Sequence, residues 1–226
     1  MTRRKPLAPR DRQQTRDAIL RAAMKEFAQE GIAGARTDAI ARAAGVNKAL
    51  LYYYFKDKET LYGATLDRVF GGLVERVLPA LDAGSSPREK ILTYVGTHFD
   101  YIASSPIYPH VVMREMMRAG RSASPHLKRI VKNYYRPVQE RLLAAIREGI
   151  AAGDFRPVNA PHFIMSIIAL IVFYFGATSV IATMSGADPL SPERLAERRA
   201  AVLDFVSAAL FCPESRPVAA LAEVQP

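Results

Sequence analysis

Apolar residues recur at three- and four-residue spacings through most of this sequence, and clusters of Gly and Pro separate the stretches that carry the pattern. Strict apolar/polar alternation, the mark of half-buried strands, is scarce. The chain is therefore expected to be all-α. With 226 residues, half of them hydrophobic, it can bury the core of a small domain and a larger one.

Punctuation divides the pattern into segments. Ile19, Leu20, Ala23 and Phe27 share one face of a first helix that Gly31 and Gly34 end. Thr37 is placed to cap a short second helix through Ala44, Gly45 and Val46 make a tight turn, and Asn47 caps a third helix to about Phe55. Asp57 caps a fourth helix starting at Lys58. Loops are expected at 82–87, 104–106 and 119–125, then a helix over 127–152 kinked at Pro137, and final helices over 160–184 and 191–211. Residues 1–11 read as a basic flexible arm and 213–226 as a flexible tail.

The formal net charge is +9, and residues 1–62 alone hold 13 Lys and Arg against 7 Asp and Glu. Such an excess suits nucleic acid or an anionic membrane surface. Cys212 is the single cysteine, which excludes an intramolecular disulfide and thiolate-clustered zinc or iron–sulfur sites and fits a cytoplasmic location. Arg3, Arg4 and Lys5 lack the apolar run that a secretory signal places behind its charges, so export is not expected.

Two short helices joined by a Gly-containing turn, the second displaying basic and aromatic residues, form the layout of a DNA-reading helix-turn-helix. Leu51 and Phe55 share a face with Val46 and are expected to pack on Ile40, Ala44 and the first helix, leaving Lys48, Ala49, Tyr52 and Tyr53 outside. Lysine can donate to guanine in the major groove, while Ala49 and Leu50 offer apolar contact to a thymine methyl. Tyr52, Tyr53 and Tyr54 point in directions about 100° apart, so they cannot all be buried. At least one hydroxyl is left beside Lys48, Lys56 and Lys58 for phosphate.

Residues 37–58 read TDAIARAAGVNKALLYYYFKDK and are followed by Glu59, Thr60 and Leu61. This stretch resembles the signature of the TetR family of transcription regulators, over roughly residues 12–62. The resemblance implies recognition-helix roles for Lys48, Ala49, Leu50, Tyr52, Tyr53 and Tyr54, and phosphate contacts for Thr37 and Lys58. Many members have Gly where this chain has Ala49 and His where it has Tyr54. The arm bearing Arg3, Arg4, Lys5, Arg10, Arg12 and Arg16 is a candidate for further contacts, or a solvated tail.

The resemblance further implies that 63–212 form a larger helical domain enclosing a ligand cavity, with the last two helices building a homodimer interface. Residues 163–187 carry no charged side chain, which admits either a membrane span or a helix buried by its own subunit and a partner. Ser166, Gly176, Thr178, Ser179, Thr183 and Ser185, without a flanking basic cluster, favour the buried helix. Its expected partner carries Leu195, Val202, Phe205, Val206 and Leu210.

For the cavity of an unknown small-molecule ligand, the candidates are His98, Phe99, Met113, Met116, Met117, Tyr134, Tyr135, Phe173 and Tyr174, each also explicable as ordinary core. His98, His110, His126 and His162 show no spacing with carboxylates that resembles a metal or triad motif, and no Gly-rich phosphate loop appears. No catalytic residue, cofactor or metal is expected. The sequence thus points to a dimeric repressor released by ligand from a palindromic double-stranded DNA operator. The alternative is a membrane-associated helical protein with a basic N-terminus.

Overall fold

The computed structural model describes residues 9–105, 108–119 and 124–212. Eleven α-helices follow one another there: α1 (Pro9–Gly34), α2 (Thr37–Ala43), α3 (Lys48–Tyr54), α4 (Lys58–Ala83), α5 (Pro87–Ala103), α6 (Tyr108–Ala119), α7 (Pro125–Ile130), α8 (Arg136–Ala151), α9 (Ala160–Gly176), α10 (Thr178–Ser185) and α11 (Pro192–Leu210). A π-helical turn, Val131–Tyr135, joins α7 to α8. The only β pairing among the described residues is an isolated bridge between Phe155 and Phe211.

Local chemistry sets the helix starts. Asn47 accepts from the Leu50 amide at 2.8 Å and Asp57 from that of Thr60 at 2.7 Å, as expected. Ser86, Ser124 and Ser191 cap α5, α7 and α11, each followed by a proline whose missing N–H costs nothing in a first turn. Gly45, at φ 69°, makes the turn between α2 and α3.

Four expectations need correction. Thr37 does not cap α2; it is the first residue of that helix, and Arg36 occupies the cap position without a side-chain bond. Helix α1 already begins at Pro9, with Asp11 in its first turn, so 9–11 are helical where a flexible arm was expected. Residues 1–8 and the tail 213–226 lie outside the described residues. The irregularity foreseen at Pro137 is a π turn just before it, which accommodates a ring that would clash with an ordinary preceding turn. Finally, 160–184 is two helices, bent by 67° between Gly176 and Thr178. Among the described residues no single helix is long and apolar enough to cross a membrane.

Helices α1 to α3 pack around Ile19, Ala23, Phe27, Ile40, Leu51 and Phe55, all buried. The N-terminal end of α4 closes this cluster with Leu61, Tyr62 and Leu66, and the helix then continues unbroken into the larger bundle. There α5 is central, touching α4, α8, α9 and α11. One face of α9, with Ile164, Ile167, Ile171 and Phe175, is buried against it. Its other face leaves Met165 and Phe173 exposed, beside exposed Val180 and Met184 on α10 and Phe205 on α11.

Candidate functional site

The turn and the Asn47 cap fix α3 so that Leu51 is fully buried while Lys48, Ala49, Tyr52 and Tyr53 face solvent. Tyr53 is the most open, at 72% exposure. Lys48 Nζ meets Asp38 Oδ1 at 2.9 Å. The hydrogen bond and charge of Lys48 hold the Asp38 carboxyl below its usual range, and Asp38 in turn raises the Lys48 ammonium. Thr37 Oγ1 lies 3.2 Å from the Tyr52 hydroxyl, tying the start of α2 to the outer face of α3.

Three residues expected at a nucleic acid stand differently. Leu50 is half-buried. Tyr54 is also half-buried, and its hydroxyl is enclosed without a hydrogen-bond partner among the described residues. Lys58 donates to the carbonyl oxygens of Ala33 and Ala35 at 3.3 and 3.2 Å, so its ammonium holds the end of α1.

A second site is a cavity of about 290 Å³ in the larger bundle. Phe70, Leu73, Val74 and Val77 of α4 form one wall, Tyr94 and His98 of α5 another, and Tyr108 of α6 an end. The rest comes from Val131, Tyr134 and Tyr135 of the π turn, Val138 and Leu142 of α8, and Ile164, Met165 and Ile168 of α9. Leu127 and Gln139 complete it, and no lining side chain is charged. His98 Nδ1 is 3.1 Å from the Tyr94 hydroxyl, and burial pushes the imidazole down to about 4, so the ring is neutral at pH 7. Tyr134 donates to Asp67 at 3.1 Å.

Of the cavity candidates named from sequence, His98, Tyr134 and Tyr135 line it. The others do not. Phe99 packs in the core against Phe175 at 5.1 Å between ring centroids. Met113 and Met117 are exposed on α6, and the Met116 side chain lies outside the described residues. Phe173 faces outward. Tyr174 donates to the Pro189 carbonyl at 2.7 Å beneath the Arg198 guanidinium.

Contacts between the two sites escaped the sequence reading altogether. Arg114 of α6 donates from Nε to the Ala28 carbonyl of α1 at 2.7 Å, and also to that of Gln29. Tyr62 donates to the buried carboxylate of Glu115 at 2.8 Å. His126 Nε2 lies 2.8 Å from Glu59, and Arg129 donates to the Gly63 carbonyl at 3.0 Å. These partners are far apart in sequence, and no local motif marks them.

Comparison with known proteins places both halves. Residues 19–65 match the family "Bacterial regulatory proteins, tetR family", and residues 87–206 match "Tetracyclin repressor-like, C-terminal domain". The chain is 32% identical over 165 residues to the HTH-type transcriptional repressor SCO4008 of Streptomyces coelicolor, covering 73% of this chain and 80% of that protein. It is 27% identical to the HTH-type transcriptional repressor NicS of Pseudomonas putida, over 76% of this chain and 81% of the other. In fold it resembles the ketosteroid transcriptional regulator KstR2 of Mycobacterium tuberculosis, with a TM-score of 0.72 at 19% identity, over 88% of this chain and 95% of that one.

Proposed function

The chain belongs to the TetR family of DNA-binding transcription regulators, whose matched members are regulators and not enzymes, and on that footing we propose that it is a dimeric repressor released from a palindromic operator by a small molecule. The observation that carries the DNA contact is the outer face of α3, where Lys48, Ala49, Tyr52 and Tyr53 stand together on a helix whose opposite side is locked into the core. In this reading Lys48 and Ala49 meet base edges, while Tyr52, Tyr53 and Thr37 meet phosphates. Leu50, half-buried, borders the contact; Tyr54 and Lys58 position α3 and the end of α1.

Dimerisation is proposed through the exposed apolar faces of α9, α10 and α11, since a monomer would leave Phe173 and Phe205 in water. Two-fold symmetry then holds the α3 helices about 34–36 Å apart, one turn of DNA. A ligand in the cavity between α4 and α9 would favour a different spacing, transmitted by α4 and by Arg114.

Footprinting on DNA flanking the chain's own gene tests the reading, with Lys48→Ala and Tyr53→Ala variants alongside. Protection of a short palindrome, weakened in both variants, is the expected result. Unchanged protection in the variants would remove α3 as the reading element.

A further inference from the structure

We propose that the cavity takes an uncharged, ring-based ligand that presents a single hydroxyl or carbonyl oxygen to the Tyr94 and His98 pair. The inference rests on the ligand-released repressor reading and adds to it the chemistry of the ligand.

Charge is decided by the wall. An ionised group moved from water into this cavity would meet no opposite charge among the lining side chains, and such burial is strongly unfavourable. His98 does not supply a cation, because its burial keeps the imidazole neutral at pH 7. A carboxylate or an ammonium is therefore disfavoured against the same surface that welcomes a hydrocarbon body. The volume of about 290 Å³ sits at the small end of ordinary ligand pockets, which suits a compact molecule better than a long chain with a large polar carrier.

The single polar handle is decided by His98. It is the one lining side chain with an enclosed polar atom, Nε2, that finds no partner among the described residues. Nδ1 is already taken by Tyr94, so whichever nitrogen carries the proton, one hydrogen bond of the ring is unmade. The Tyr108 and Tyr135 phenols line the same cavity, and burial above all pushes both upward, so each stays a neutral hydroxyl. A ligand oxygen arriving there finds both donors and acceptors, while its rings lie against Leu73, Val77, Leu142 and Ile168.

Calorimetry on the full chain with three matched probes tests this: para-phenylphenol, biphenyl and para-phenylbenzoate. The phenol is expected to bind about tenfold tighter than the hydrocarbon, the gain of one well-placed buried hydrogen bond. The carboxylate is expected to bind weakest of the three. In His98→Phe and Tyr94→Phe the phenol should lose its advantage while biphenyl still binds, which shows that the cavity has survived. Binding of the carboxylate as tight as that of the phenol overturns the proposal, as does failure of all three probes or an advantage that persists in both variants. Operator release is read separately on the same samples. A phenol that binds without releasing DNA defeats the repressor mechanism and leaves the ligand class standing, whereas release by charged effectors alone does the reverse.

Discussion

Arg114 of α6 places its Nε 2.7 Å from the carbonyl oxygen of Ala28 in α1. A guanidinium there satisfies carbonyls near the Gly31 break, where φ turns to 66° and the regular ladder of α1 stops. Replacing it with Met keeps the stem and removes the donors. Arg114→Met is expected to lower stability by about 1 kcal/mol, since the bond is only part-buried, and to leave DNA affinity without ligand intact. The ligand concentration needed for release should rise. Chemical denaturation and a ligand titration of the DNA complex check the two halves.

Asp38 occupies Lys48 before any DNA arrives. In Asp38→Asn the ammonium is free and one negative charge leaves the contact face, so DNA affinity should rise by about fivefold at low salt. The pair also has a pH signature. The Asp38 carboxyl is held below its ordinary range in the folded chain, so its small contribution to stability is present above that range and lost as pH falls through it. Acid titration of unfolding should show that loss in the parent and not in Asp38→Asn.

Tyr54→Phe separates a DNA contact from a packing role. Removing an enclosed hydroxyl that has no partner among the described residues is expected to leave stability unchanged or raise it by up to about 1 kcal/mol. Gel-shift affinity should stay within about twofold. A clear loss of affinity would return Tyr54 to the phosphate backbone.

Phe173, 71% exposed on α9, should be covered by a second copy. Phe173→Asp buries a charge in that contact and is expected to yield monomers in light scattering, with helical content unchanged. Losing the second half-site should weaken operator binding by about a hundredfold or more.

The readable parts of this molecule are those set by short-range chemistry. Asn47 and Asp57 cap the helices they precede in sequence, and the alternation of Leu51 and Phe55 with Lys48 and Tyr52 announces which face of α3 is buried. The cavity was legible only in part. His98, Tyr134 and Tyr135 stand out as polar aromatics on helices, yet Tyr94 and Tyr108 look no different in sequence, and only the packing of α4, α5, α6 and α9 brings them together. Met113 and Met117 failed as cavity residues because α6 turns that face outward. The bend after Gly176 was hidden because the apolar run continues straight through it.

The π turn at Val131–Tyr135 carries a last implication, for how a lineage of such proteins diversifies. A π turn holds one residue more than the α turn it interrupts, and here it supplies three side chains of the cavity wall. Loss of a single codon within it would restore continuous α-helix, taking one side chain out of the wall while the helices on either side keep their faces. The effector range of the molecule is thus exposed to changes in length as well as in identity. A deletion could reshape the chamber in one event while His98 and Tyr94, on another helix, keep their pairing.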